Sequence, residues 1–392
     1  MDLKIKRNLN ELSPVKNFLK KIVPLDEFKY YLFLFFLLFT CCVRRISPPI
    51  HNGPPLLVVE GLITTDSTLY TFKLSYTGNF TNASASVDSN QNYINDARVV
   101  VKDDEGDSAL CSLISQGTYQ TSDSSFIGIV GRTYTLEIYL SNGKTYVSSP
   151  EKINPVPPID SISVAYDSTY ITDVRPTQLI LSANVHDPPS VQNYYRWTAS
   201  GYIPRKSWGF YCSPPPPFPE CNDPYSCNCM ALCEQYITMS QVNILSDKLI
   251  NGNEIIQPVF YSPIYWFGKH FIEVKQYSLN QDTYLFWQNY LQQTNQTGGV
   301  LDPIPESLVG NIYNANDSSD VALGYFETSA VVTKKVVIVL FFLQEYYLQS
   351  VAGQFVADKK AGGGDCHLAY PNSLNDDADP TGWENAQEID LH

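Results

Sequence analysis

Nine cysteines stand in this chain of 392 residues, and five of them, Cys212, Cys221, Cys227, Cys229 and Cys233, crowd into one short stretch. Closely spaced thiols either oxidise to disulfides or ionise and hold a metal. The stretch is rich in Pro and Asn and too poor in apolar residues to build its own core, so bridges would hold its shape. Cys366 is a candidate to close onto it, with the connectivity open. Zinc is the rival, with Cys227, Cys229, Cys233 and His367 as ligands. The C-x-C-x3-C spacing, however, misses the paired C-x2-C knuckle of structural zinc sites. Disulfides are therefore the expectation, with no metal and no cofactor. Cys111 is expected to stand alone as a small buried residue.

Catalytic patterns are poor. Gly106-Asp107-Ser108-Ala109-Leu110 resembles the GDSL lipase block, but that block needs its serine at a strand-to-helix junction, and here an acidic hairpin turn is expected. A matching Asp-x-x-His is missing. His51, His186, His270, His367 and His392 are scattered, and each reads as a surface or satisfied core residue rather than a general base. Asp103 with Asp104, and Asp376 with Asp377, do not fit the spacing of a calcium loop and read as solvated turns. The chain is expected not to be an enzyme. Aromatics are the one feature that suggests binding. Trp197, Tyr202, Trp208, Phe210 and Tyr211 gather near the cysteine-rich stretch, and Tyr261, Tyr265, Trp266 and Phe267 crowd a second loop. Such side chains are enriched at interfaces, which makes Trp208, Tyr211, Tyr265 and Trp266 the candidate ligand or partner contacts, with core packing as the competing use of alternate members.

The address precedes these residues. Tyr30 to Thr40 is an uncharged apolar run of eleven residues, too short for a helix of about 20 residues to cross a bilayer and suited to a signal-peptide core. Lys4, Lys6, Arg7, Lys16, Lys20, Lys21 and Lys29 outnumber the acids before it. Leu38-Phe39-Thr40-Cys41-Cys42 resembles a bacterial lipobox, so residues 1–41 are expected to be removed and Cys42, or alternatively Cys41, to carry the lipid that anchors the chain to a bilayer. The whole chain has a formal charge of −14, and losing that basic segment makes the remainder more acidic still. Phosphate backbones would be repelled, so nucleic acid is excluded as a partner.

After a lipidated linker at 42–54, apolar and polar residues alternate in short segments punctuated by Gly, Asn and Asp. Strands are expected at Leu56–Ile63, Leu69–Tyr76, Ala97–Asp103, Gly117–Thr121, Thr133–Tyr139 and Thr145–Ser148, the last two joined by a type I′ turn at Asn142-Gly143. They imply an immunoglobulin-like β-sandwich over 55–152. Three prolines between Ile153 and Pro158 break the pattern. A β-rich domain over 159–343 follows, with strands at Ser161–Tyr166, Gln178–His186, Asn193–Tyr202, Ala322–Thr328 and Lys335–Leu343. It carries a Cys/Pro-rich insert at 211–233 and a short helix at Gln281–Gln293, whose Tyr284, Trp287 and Leu291 form one stripe. Residues 344–392 form a tail. The fold class expected is mainly β, as two β-sandwich-like domains.

Five segments occur together in one order: LLVVEGLIT (56–64), INPVPPIDSI (153–162), GVLDPIP (299–305), GNIY (310–313) and LGYF (323–326). In that combination the chain resembles the Bacteroidota lipoproteins grouped as domain-of-unknown-function family 4249. The resemblance implies an outer-membrane lipoprotein, often encoded beside a TonB-dependent β-barrel receptor, with no established enzymatic activity and no catalytic residues to carry over. The function expected is an accessory partner of such a receptor in ligand capture or gating, and the alternative is a structural or assembly factor for cell-surface proteins. Surface-routed lipoproteins of that phylum often carry acids just after the lipid cysteine, whereas Val43-Arg44-Arg45-Ile46 follows here. The face, periplasmic or cell-surface, therefore stays open.

Overall fold

In Thr133–Tyr139 every second residue is apolar or aromatic, and Tyr134, Leu136 and Ile138 are buried while their neighbours stay half-exposed. That period of two fixes a strand with one face on a core. The computed structural model describes residues 54–66, 69–77, 92–167, 178–209, 229–239, 241–265, 268–295, 308–340, 370, 372–375 and 380–391; side chains at 206–209, 229–232 and 318 are outside the description.

The first half supplies β1 (Leu57–Thr64), β2 (Thr71–Tyr76), β3 (Asn92–Tyr93), β4 (Arg98–Asp103), β5 (Ser108–Ser115), β6 (Thr118–Thr121), β7 (Thr133–Tyr139), β8 (Thr145–Ser148) and β9 (Glu151–Lys152). The second half supplies β10 (Ser161–Asp167), β11 (Gln178–His186), β12 (Tyr194–Gly209), β13 (Cys229–Thr238), β14 (Asn243–Ser246), β15 (Glu254–Pro263) and β16 (Gly268–Leu279). Helix α1 (Gln281–Thr294) follows, then β17 (Val309–Asn314), β18 (Asp317–Ser329), β19 (Val331–Leu340), β20 (Leu374–Asn375) and β21 (Gln387–Leu391).

The first sheet closes on itself. Its order runs β1-β18-β17-β8-β7-β4-β5-β6-β2, and β2 pairs back onto β1, so nine strands form a ring with β3 and β9 attached at the margins. An immunoglobulin-like sandwich over 55–152 is therefore not what forms. Strands from that span alone would leave β1 and β8 as open edges. Here β18 and β17, from far along the chain, fill the gap between them, and closure removes the exposed edges. The β1–β18 pairing is parallel, which demands a long crossover; strands β10–β16 of the second lobe lie within it, while β19–β21 follow β18. Phe326 of β18 packs near Phe72 of β2, ring centroids 6.4 Å apart, and both are fully buried. Side chains of this size stabilise by roughly 1.5–3 kcal/mol each on burial. At the seam the backbones approach so closely that a Cβ on Gly324, which has φ +85°, would collide with the Val59 carbonyl.

One turn also differs from expectation. Leu140 and Lys144 pair across Ser141-Asn142-Gly143, and only Gly143 has positive φ, at +86°. This is a three-residue loop ending on a left-handed glycine rather than a type I′ turn, because Asn142 keeps ordinary backbone angles.

In the second lobe two sheets share one core. A three-stranded sheet, β10-β11-β15, faces a seven-stranded one, β20-β13-β12-β16-β19-β21, with β14 on β12. Leu179, Leu181 and Val185 from one sheet share a core with Tyr195, Trp197, Val274 and Ile338 from the other. The apolar run expected at Lys335–Leu343 is a core strand through Leu340, where its described part ends. Strand β12 continues past Tyr202 to Gly209 and pairs with β13, so Cys229–Cys233 belongs to a regular strand rather than to an irregular insert.

The prolines of the connector let its carbonyls and side chains serve as docking points between lobes. Ser278 Oγ donates to the Asn154 carbonyl at 2.7 Å and accepts from the Ala330 amide, while Gln276 Nε2 donates to the Pro157 carbonyl at 3.0 Å. Val156 packs against both cores.

Candidate functional site

Beside this connector lies a cavity of about 280 Å³, walled by the connector itself, by the loop before β12 and by the junction of β16 with α1. Asn154, Gln192, Asn193, Tyr194, Ser278 and Gln281 are its polar lining, and none of the residues that line it carries a charge. Each wall is held from behind. Asn193 N donates to Asp247 Oδ2 at 2.8 Å, Tyr195 OH donates to Asp187 Oδ1, and Gly252 N donates to Asp187 Oδ2 at 2.9 Å. Ser190 adopts a left-handed φ of 72°, kept there as its amide donates to Asn251 Oδ1. Asp187 and Asp247 are both buried; burial, with the neighbouring Asp187 charge adding to it, pushes the Asp247 carboxyl up from its ordinary value.

The helix end is built in the same fashion. Asn280 occupies the position that would cap α1, yet its side chain makes no capping bond. Its Nδ2 donates to Glu151 Oε2 at 2.6 Å and its Oδ1 accepts from Asn154 Nδ2 at 2.6 Å. Glu151 is buried, which pushes its carboxyl up, although Asn280, Asn311 and Tyr325 all donate to it. The amides opening α1 are thereby left without a side-chain cap next to the cavity.

Other features among the described residues bear on chemistry. Ser262 Oγ and His270 Nδ1 lie 2.8 Å apart, but both residues are fully buried, and burial pulls the imidazole down to about 3. A neutral histidine sealed in a core reaches no substrate. Ser108 opens β5 opposite Lys102 of β4, not a strand-to-helix junction. The acidic turn at Asp103–Asp107 is organised around Arg132, whose guanidinium contacts Asp103 at 2.6 Å, Glu105 at 2.9 Å and Asp107 at 3.1 Å. Among the described residues no group of three or more His, Cys, Asp or Glu could hold a metal ion, and no helix is long and apolar enough to cross a membrane.

The residues singled out from sequence fare unevenly. Cys41, Cys42, Cys212, Cys221, Cys227 and Cys366, with Tyr211 and Trp266, lie outside the described residues, and so do the side chains of Trp208 and Cys229. Cys233 is 1% exposed, packs with Tyr370 and is not a free thiol. Cys111 is free and buried in the barrel, where burial pushes its thiol up to about 12. Tyr265 is half-buried: the Arg205 guanidinium sits 3.9 Å from its ring centroid, and the side chain packs against the sandwich core. Trp197 is core outright, its Nε1 donating to Gln276 Oε1. The cavity residues were not anticipated, because single Asn, Gln and Tyr residues from three distant segments form no local pattern.

A closed strand barrel joined through a short proline-rich connector to a two-sheet sandwich, with an uncharged cavity at the connector, defines the architectural class. Residues 43–335 match the family described as Domain of unknown function (DUF4249), and the chain belongs to it. No curated protein matches. Among solved structures, trypsin-activated alpha-2-macroglobulin from Escherichia coli aligns at 9% identity and a TM-score of 0.18, covering 60% of this chain and 15% of that one. A point mutant of alpha-2-macroglobulin from Salmonella aligns at 8% identity and a TM-score of 0.17, covering 60% and 14% respectively. The chain thus spans about 15% of the length of the structures it matches.

Proposed function

We propose that this chain is a non-enzymatic outer-membrane lipoprotein, anchored through an acylated Cys42 or alternatively Cys41, that serves a TonB-dependent β-barrel receptor as an accessory partner in ligand capture or gating. The observation that supports capture is the cavity at the connector: it is uncharged, rich in carboxamides and braced from behind by buried hydrogen bonds. Preorganised polar groups of this kind favour binding, because little ordering entropy is lost when a ligand enters. The Ser262–His270 pair, sealed in the sandwich, is not open to a substrate. The apolar run at 30–40 and the adjacent cysteines support the anchor.

A second reading, an assembly factor that binds polypeptide, is favoured by one feature. Ile127, Ile129 and Val130 stand exposed on a loop of the barrel lobe. Affinity purification from detergent-solubilised outer membrane separates the outcomes. A stoichiometric β-barrel receptor supports the first reading, and an assortment of nascent surface proteins supports the second. Recovery of the chain alone overturns both. Mass spectrometry of the mature amino terminus should show a diacylglyceryl-modified cysteine; an unmodified terminus would overturn the anchor.

A further inference from the structure

Resting on that capture role, we propose that the connector cavity holds a neutral polyhydroxyl ligand, a single sugar ring or the end of a short oligosaccharide. The argument starts from what the lining lacks. With no charged side chain facing it, an ionic ligand would leave water for a site offering no counter-charge. A purely apolar ligand would bury the carboxamides unpaired. What remains is a ligand that is polar and uncharged.

The hydrogen-bonding inventory narrows it further. The Nδ2 groups of Asn154 and Asn193 already donate, to Asn280 Oδ1 at 2.6 Å and to the Val191 carbonyl at 3.1 Å. Gln192 Nε2 likewise donates to Ser246 Oγ at 3.4 Å. Each of these three side chains keeps its carbonyl oxygen as an acceptor. Gln281 stands at the uncapped start of a 14-residue helix, where backbone amides supply donors. Acceptors and donors around one uncharged hollow suit hydroxyl groups, each of which donates once and accepts twice. Tyr194 adds an aromatic wall whose ring is steadied by Tyr284, centroids 5.0 Å apart. The apolar C–H face of a sugar ring packs on such a surface, while a polar tip stays in reach of hydroxyls. A volume of about 280 Å³ falls just under the roughly 300 Å³ at which small-molecule pockets start, which suits one ring or a chain end and not a long chain.

The test uses the full chain in detergent, with saturation-transfer difference NMR and calorimetry against glucose, galactose, N-acetylglucosamine, maltose and cellobiose. Galacturonate, glucosamine and trialanine are the charged and peptide comparators. At least one neutral sugar should bind, its charged counterpart about tenfold more weakly, a difference of ~1.4 kcal/mol. Tyr194→Ala and Gln192→Ala should each weaken it by at least about fivefold, ~1 kcal/mol, with an unchanged melting profile confirming that each variant folds. Absence of binding by every neutral sugar, equal binding of the charged comparators, binding of trialanine instead, or binding that survives both substitutions would overturn the proposal. The two readings fail separately. A co-purified barrel without sugar binding removes only this inference, and sugar binding without a barrel removes only the receptor partnership.

Discussion

Glu327 joins three elements across the lobes. From β18 of the barrel it pairs with Arg196 of β12 at 2.6 Å, accepts Trp287 Nε1 from α1 at 2.9 Å and accepts Ser329 Oγ at 3.0 Å. Arg196 also stacks over Tyr277 and Trp287, 4.3 and 5.4 Å from their centroids. The two side chains of the pair are only 12% and 5% exposed, so solvent screens their interaction weakly. Glu327→Ala leaves the guanidinium buried without a counter-charge, which costs roughly 3–5 kcal/mol. For a domain larger than 200 residues each kcal/mol shifts the midpoint by about 2 °C, so a fall of roughly 6–10 °C is expected. Adding Arg196→Met removes the stranded charge and should recover a large part of that loss. Calorimetry and urea unfolding followed by tryptophan fluorescence read both quantities. A fall under about 2 °C, or a double variant less stable than Glu327→Ala, would refute the view that Arg196 and Glu327 neutralise each other in a dry interface.

Asp247→Asn tests the buried acid pair. A carboxyl pushed up by burial and by Asp187 contributes stability that is full below the ordinary aspartate value of 3.8 and is lost as pH rises through its folded value. Asn at 247 keeps an acceptor for Asn193 N and places no charge beside Asp187, so its melting temperature relative to the parent should climb as pH rises above about 4; a flat difference refutes the assignment. His270, with its imidazole pulled down to about 3, should show no ring titration by NMR between about pH 5 and pH 7, and because the unfolded chain binds that proton first, His270 makes stability decline as pH falls below 6.5. Ring titration near 6.5 in the native state refutes the burial. A fragment covering 54–152 should remain without cooperative unfolding, since both strands flanking the gap in its ring lack partners; a sharp melting transition would mean that this half closes without β17 and β18.

Strands were legible wherever burial on one face imposed a period of two. Thr133–Tyr139, Thr145–Ser148 and Gln178–His186 stand where alternation placed them, and α1 begins at Gln281 as its aromatic stripe required. Closure of the barrel was not legible. Pairing of β1 with β18 joins Val58 to Leu323, and local patterning carries no information on contacts of that separation. Yet LLVVEGLIT, GNIY and LGYF, three of the segments on which the resemblance rests, occupy β1, β17 and β18, the strands that meet at the seam. Their glycines explain why they are distinctive. Gly310 and Gly324 sit where any side chain would meet a neighbouring backbone, a demand set by packing rather than by alternation.

The candidate site was hidden for a related reason. Clustered aromatics drew attention to Trp197 and Tyr265, but bulky side chains are what cores and cation–π stacks recruit, and both are engaged internally. The cavity instead takes modest residues from 154–155, 191–195 and 278–281. What brings them together is the proline-rich connector: its three prolines lack amide donors and keep it out of a ladder, so Asn154 is free to anchor Ser278 and Asn280 with its carbonyl and its side chain. The same segment that ends the barrel lobe thus positions one wall of the hollow and ties it to the uncapped start of α1. Glu151 completes the logic, because by drawing Asn280 away from the capping position it leaves the helix amides available beside the cavity. Glu151→Ala should therefore weaken sugar binding in calorimetry and lower the melting temperature together, and unchanged binding in a folded Glu151→Ala variant would refute this role for the helix start.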